Sequence, residues 1–377
     1  MKVLHFYKTA LPETVGGVQT CIDQLATGLA LLGTNVDLLT LSERPDADQP
    51  ILHNGYRLHR VRRNFEIAST GFSASALPRF RRLVAEADIV HYHFPWPFMD
   101  AAHLLLARSK PSVVTYHSDV VRQKIWRKLY EPLGRRFLAA VDRIVATSPH
   151  YRETSPVLRR HAEKVSVIPL GIDPAGLTAP PPQSREDWRA RIGEGFFLFI
   201  GVLRYYKGLE FLIEAARQTG FPTVIVGGGP EEERLRARAA AVPNVRVLGH
   251  LPEEDKAALL SLCGALVLPS HLRAEAFGIA LLEGALYGKP LISCEIGTGT
   301  SFVNDAGRTG LVVPPVNPEA LAGAMWQLQR DPDQARSMGE QARRRALDIF
   351  NARRMAQSYQ DLYRDLLASL ANLPQPG

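Results

Sequence analysis

Cysteine is scarce in this chain, with three among 377 residues. Cys21, Cys263 and Cys294 stand far apart in apolar surroundings, so they give neither a metal-ligand spacing nor an even set for a disulfide framework. Long apolar runs are missing as well, and none approaches the roughly 20 residues that a membrane-spanning helix needs. The opening Met1-Lys-Val-Leu-His-Phe-Tyr7 lacks a secretory pattern, which makes a cytoplasmic location the expectation. No internal repeat is evident, and Pro180-Pro-Pro182 is the single low-complexity tract. A complete G-x-G-x-x-G fingerprint is absent too. Gly227-Gly-Gly-Pro230 follows a strand-like run, but Pro230 and Glu231 break the spacing, which counts against a nicotinamide oxidoreductase.

The composition that remains is that of a globular protein, 46% hydrophobic and 22% charged. Its length exceeds one ordinary core and predicts two domains. Charge is spread unevenly: residues 1–180 carry 23 Lys and Arg against 16 Asp and Glu, whereas residues 181–377 carry 22 of each. Much of the excess lies in Arg122, Lys124, Arg127, Lys128, Arg135 and Arg136, interleaved with Ile125, Trp126, Leu129, Tyr130 and Phe137. Such a stretch suits an anionic membrane surface, and a plain solvated face accounts for it equally well. Nucleic acid is not an expected partner, because neither a zinc-finger spacing nor an aromatic single-strand platform accompanies the basic residues.

Strand-like runs alternate with helical patterns through both halves, which predicts parallel sheets covered by helices. In the first half the strands are expected near Val3–Tyr7, Asn35–Leu41, Arg57–Val61, Ile89–His93, Ser112–His117, Arg143–Thr147 and Val165–Pro169. The proline tract reads as a linker, and strands restart near Phe196–Val202, Thr223–Val226, Val245–Leu248, Ala265–Pro269, Pro290–Ser293 and Leu311–Val313. The fold class is therefore α/β, with two Rossmann-like doubly wound domains expected to face each other across a cleft. Ligands of such sheets bind beyond the carboxyl ends of the strands.

The informative residues lie at those ends. Glu275 and Glu283 bracket an apolar run containing Phe277, Gly278 and Ile279, directly after the strand Ala265–Pro269. A helix from Phe277 to Tyr287 would put the two carboxylates about 12 Å apart along its axis. That is too far for an acid/base pair on one bond and well suited to gripping two ends of an extended ligand. Gly16-Gly17 opens a helical pattern after the first strand, where free amides and the helix dipole suit a phosphate. Arg204 and Lys207 share a glycine-flanked loop, Gly201 to Gly208, and can neutralise a departing diphosphate. His250 and Leu251 follow another strand, at a depth suited to a base. Cys294-Glu-Ile-Gly297-Thr298-Gly-Thr300 offers small residues, hydroxyls and amides for sugar or phosphate.

His91 and His93 share one strand face, but no third metal ligand follows at a familiar spacing, so no metal site is expected. Asp46-Ala-Asp48 has the form of a metal–diphosphate Asp-x-Asp, yet it lies in a polar loop with no strand ahead of it.

Taken in order, Gly16-Gly17, His117 at the end of the fifth strand, Arg204 with Lys207-Gly208, Glu275 with Glu283, and the glycine loop after Ser293 resemble the retaining GT-B glycosyltransferases of family 4. The resemblance covers almost the whole chain and is strongest from Gly201 to Gly299. It implies a metal-independent hexosyltransferase without a cofactor, the nucleotide-sugar being a substrate. Gly16 and Gly17 then match the loop on the donor diphosphate, Arg204 and Lys207 its cationic clamp, and His117 the histidine near the transferred sugar. Glu275 matches the acid on the sugar hydroxyls, and Glu283 the one on the ribose. The family's final helices cross back to the N-terminal domain, giving domains 1–173 with 355–377, and 174–354. The stretch Cys294 to Asn304 looks like bacterial enzymes that add mannose or D-rhamnose from GDP-sugars to lipid-linked surface polysaccharide, acting at the inner face of the membrane. Alternatives are a UDP-sugar glucosyl- or N-acetylhexosaminyltransferase, a sugar-nucleotide epimerase of the same fold, and a non-catalytic sugar-nucleotide-binding protein.

Overall fold

Parallel strands form two separate sheets, each in its own compact unit. A computed structural model describes the chain apart from residues 47–48, 68–69, 120–123, 178 and 373–377 and the side chains of residues 124–129. Met1–Gly171 with Ala352–Gly377 makes one unit, and Ile172–Asn351 makes the other.

The N-terminal unit contains β1 (Lys2–Phe6), β2 (Asn35–Ser42), β3 (Ile51–His53), β4 (Tyr56–Arg62), β5 (Phe65–Ile67), β6 (Thr70–Phe72), β7 (Ile89–Phe94), β8 (Ser112–Tyr116), β9 (Arg143–Ala146) and β10 (Val165–Val167). Eight of them form a sheet in the order β10-β9-β8-β7-β1-β2-β4-β3, parallel except for the edge strand β3. Strand order reverses between β1 and β7, the point at which ligands of such sheets sit. Every residue of β7, Ile-Val-His-Tyr-His-Phe, is buried, as a central strand covered by helices on both faces requires.

The short strands β3, β5 and β6 were not expected from the sequence. Each has only three residues and at least one face toward water, so no alternating or continuous apolar run marks it. The C-terminal helix Ala352–Ala371 belongs to this unit. Its Met355, Ala356, Tyr359, Tyr363 and Leu366 recur on one face and are buried. It packs on the helix Gly17–Leu31, and Gly28 permits the approach, because a Cβ there would lie 2.6 Å from that of Ala356.

The C-terminal unit contains β11 (Phe197–Ile200), β12 (Thr223–Val226), β13 (Val245–Gly249), β14 (Ala265–Leu268), β15 (Leu291–Cys294) and β16 (Gly310–Val313). They form one parallel sheet in the order β13-β12-β11-β14-β15-β16. This is the Rossmann arrangement, with its reversal between β11 and β14.

Candidate active site

The loops leaving β11 and β14 carry Arg204, Lys207 and Glu275, and the reversal of strand order makes those two strands neighbours. Lys207 lies in a single helical turn, Tyr205–Lys207, after β11. Its ammonium is ion-paired with the carboxylate of Glu275, both side chains being only 12% and 11% exposed. The hydroxyl of Ser270 donates to the same carboxylate at 3.1 Å, and the Thr298 hydroxyl donates to the Glu275 carbonyl at 2.8 Å. Burial opposes the charge on Lys207, but Glu275 outweighs it with help from Tyr206, and the ammonium pKa is raised above its ordinary value. Arg204, three residues earlier, is exposed.

Glycines brace this loop. Gly208 has φ of 66°, and a Cβ there would lie 2.2 Å from the Pro269 carbonyl oxygen. The turn Gly227–Gly229 presses against the loop, with Leu203 N–H donating to the Gly228 carbonyl at 2.9 Å. A Cβ on Gly227 would lie 1.9 Å from the Gly201 carbonyl oxygen. The triple glycine that fits the dinucleotide fingerprint badly is therefore a packing device beneath the Arg204–Lys207 loop. His250 follows β13 and is exposed near Gly228, while Leu251 is half-buried.

The helix after Glu275 is shorter than the sequence suggests. It spans Ile279–Leu286 rather than starting at Phe277, because Gly278 takes a left-handed conformation, with φ of 87°, at its N-cap. Glu275 thus sits in the preceding loop, and only Glu283 is helical. Phe277 is buried against Phe350, with ring centroids 5.8 Å apart, so this position offers a ligand backbone rather than side chain. Burial pushes the Glu283 carboxyl up to about 7. Glu253 acts in the same direction, while Lys256 and Lys207 oppose it. The glycine loop after β15 is held from below by Arg273, which donates to the Gly297 carbonyl at 2.6 Å, while Gly297 N–H donates to Glu295 at 2.8 Å. Arg273 and Ser270 carry no motif and were not anticipated.

In the N-terminal unit, Gly16 caps the helix Gly17–Leu31 in an extended conformation, leaving first-turn amides without intrahelical acceptors. His117 lies just past β8 and is buried. It is not alone, and here the expectation that His91 and His93 lack a third companion is corrected. The parallel register sets His5 of β1 directly opposite His91 of β7, so one nitrogen from each of His5, His91 and His93 falls within 4.8 Å of the others. Local spacing along one strand could not reveal this pairing. The Asp46-Ala-Asp48 pattern is a loop in its first residue, since Asp46 is paired with Arg60 of β4, and Asp48 lies outside the described residues. Of the basic stretch, Arg135 and Arg136 are exposed on the helix Lys124–Ala140 above buried Phe137 and Leu138. The side chains of Arg122, Lys124, Arg127 and Lys128 lie outside the described residues.

Two Rossmann-like units, with a buried cation–carboxylate pair at the strand reversal of the second, define a GT-B glycosyltransferase. Residues 182–345 match the family described as Glycosyl transferases group 1, and residues 15–175 match Glycosyltransferase Family 4. The chain is 54% identical over 355 residues to a D-rhamnosyltransferase, WbpZ, of Pseudomonas aeruginosa, covering 93% of each protein. It is 47% identical over 372 residues to the O-antigen chain mannosyltransferase C of Escherichia coli, covering 98% of this chain and all of that protein. Among solved structures it is similar to a sucrose-phosphate synthase from Thermosynechococcus elongatus, with a TM-score of 0.81, 24% identity and coverage of 98% and 99% of the two chains. The chain belongs to glycosyltransferase family 4.

Proposed function

We propose that this enzyme transfers a hexosyl group, mannose or D-rhamnose, from a GDP-sugar to a lipid-linked glycan acceptor in O-antigen synthesis, with retention at the anomeric carbon. The observation that carries the site assignment is the Lys207–Glu275 pair at the strand reversal of the C-terminal sheet. The kind of sugar rests on the 54% and 47% identities to a D-rhamnosyl- and a mannosyltransferase. In this reading Arg204 and Lys207 hold the diphosphate, Glu275, Gly297 and Thr298 hold the sugar, Glu283 holds the ribose, and His250 and Leu251 flank the base. The amides of Gly278 and Ile279 add donors at a helix start.

The bond from the anomeric carbon to the phosphate oxygen breaks while the acceptor oxygen bonds to the same face. The acceptor proton passes to the departing phosphate, and the growing negative charge is stabilised by Arg204 and Lys207. Glu275 is tied to Lys207, so the acid that orients the sugar and the cation that steadies the leaving group are fixed to each other.

Product analysis tests this. With a lipid-linked acceptor, GDP-mannose or GDP-D-rhamnose should give a product that keeps the donor's anomeric configuration. Turnover restricted to a UDP-sugar, or an inverted product, overturns the reading. Flotation with anionic vesicles tests the acceptor's setting: co-flotation lost at high salt supports a membrane surface facing Arg135 and Arg136, and no association removes it.

A further inference from the structure

Beside His117 runs a row of imidazoles that the proposed chemistry does not use. His5 Nδ1 lies 3.0 Å from His93 Nε2, and His93 Nδ1 lies 3.0 Å from His117 Nε2. The rings stack along the row, with centroids 5.3 Å apart from His5 to His93 and 5.2 Å apart from His93 to His117. His91 stacks on His93 and lies tilted against His5, but it stays outside the row. Its two nitrogens are taken by the hydroxyls of Tyr363, at 2.6 Å, and Thr115, at 2.7 Å. Thr115 is in turn bonded to Tyr359, so the returning C-terminal helix supplies both phenols that fix this side of the cluster.

The trio His5, His91 and His93 also has the look of a metal site, and its geometry argues otherwise. Both nitrogens of His91 are occupied by hydroxyls. Two imidazoles bound to one tetrahedral ion, at bond lengths near 2.0–2.1 Å, would hold their nitrogens about 3.4 Å apart. The 3.0 Å between His5 and His93 is instead a hydrogen-bond distance.

We propose that His5 and His93 are positioning residues for His117, fixing it as the neutral tautomer with its proton on Nδ1. A neutral imidazole has one N–H, so the two bonds of the row must run in the same direction. If His5 donates to His93, then His93 donates to His117, and His117 keeps its proton on Nδ1. If the row runs the other way, His5 carries its proton on Nε2. That atom is buried and has no hydrogen-bond partner among the described residues. A buried N–H without an acceptor is a rarer and costlier state than an unused lone pair, so the inner end selects the first direction. The outer end agrees with it, because an N–H on His117 is what an anionic sugar nucleotide would meet favourably, whereas a bare nitrogen would repel it. Burial keeps the row neutral, holding His5 and His117 down to about 3 and His93 well below the ordinary imidazole range. The value of the outer end rests on the reading that His117 faces the donor; the tautomer itself does not.

The test is nitrogen NMR of the full chain labelled with 15N-histidine, with His117 assigned by difference from His117→Gln. The expected wild-type spectrum has His117 protonated on Nδ1 and bare on Nε2. His93→Leu should remove that preference and lower kcat about ten-fold, because the N–H that His117 offers the donor is then no longer held in place. His93→Asn, whose amide N–H can stand where Nδ1–H stood, should restore both. A wild-type His117 protonated on Nε2 overturns the proposal. So does a tautomer unchanged by His93→Leu, or stoichiometric zinc uptake that shifts His5 and His93 together. The wild-type spectrum decides the tautomer even where a variant does not fold. Unchanged turnover in His117→Ala would defeat the donor-site reading and leave the tautomer result standing.

Discussion

Lys207 and Glu275 are paired across the reversal of strand order in the C-terminal sheet, the ammonium arriving from the loop after β11 and the carboxylate from the loop after β14. Neither is freely solvated, so each is the other's main compensation for leaving water. Removing one partner of such a pair leaves an uncompensated charge, which costs about 3–5 kcal/mol when burial is deep. Arg204, on the same loop, has no such burden because it is exposed.

The two cations should therefore separate by experiment. Arg204→Ala is expected to reduce kcat/KM by roughly 10²–10³-fold, the usual effect of losing one group that stabilises developing charge, with the melting temperature nearly unchanged. Lys207→Ala is expected to lose as much turnover and also to lower the melting temperature. The double variant Lys207→Ala with Glu275→Gln should melt higher than Lys207→Ala alone, because the stranded carboxylate has gone. Thermal melts and steady-state kinetics on the four proteins decide it. Full turnover in either cation variant would defeat the clamp.

Glu283 makes a prediction about pH. Its carboxyl is raised by burial from the ordinary 4.5 to about 7. Below pH 4.5 it is protonated in both the folded and unfolded chain and costs nothing. As pH rises from there to about 7, the unfolded chain ionises first, so this group increasingly disfavours the fold. Glu283→Gln should remove that slope and raise the melting temperature at pH 8. If the ionised carboxylate accepts from ribose hydroxyls, nucleotide affinity in the wild type should fall as pH drops below 7, and binding near pH 6.5 should release a proton. Calorimetry in two buffers of different ionisation enthalpy measures that release. The same Gln variant should bind with no proton release, and more weakly by about 1.5–3 kcal/mol.

Much of this site was legible because parallel strands announce themselves. Buried runs such as Val224-Ile-Val226 and Ala265–Leu268 are short, apolar and ended by turn residues, and each leads directly into a loop. That logic located Arg204, Lys207, Glu275 and Glu283 without knowledge of strand order. It could not show that Lys207 and Glu275 touch, because the adjacency of β11 and β14 is a matter of topology rather than spacing. His5 was missed for the same reason, since it meets His91 only through the β1–β7 pairing. An apolar pattern does not reveal which residue is left-handed, so the sequence places the helix start at Phe277, inside a run that includes Gly278, whereas it lies at Ile279. Ser270 and Arg273 act through a single hydroxyl and a single guanidinium on loop backbone, and no periodicity reports such contacts.

Gly208 gives a last prediction, with its own control. A methyl group there would both strain a left-handed backbone and drive into the Pro269 carbonyl oxygen, 2.2 Å away. Backbone on either side cannot rotate clear as a side chain could, so the loop carrying Arg204 and Lys207 must shift. Gly220 also has positive φ, 72°, at the end of the helix Leu209–Thr219, but among the described residues nothing lies within 4 Å of its missing Cβ. Gly220→Ala should cost only the conformational strain, about 1–2 kcal/mol, and leave turnover intact. Gly208→Ala should cost more in stability and also lower kcat, because displacing the loop separates the cations from the leaving group. Equal losses of stability in the two variants, with full activity in both, would mean that the contact between Gly208 and Pro269 does not position the site.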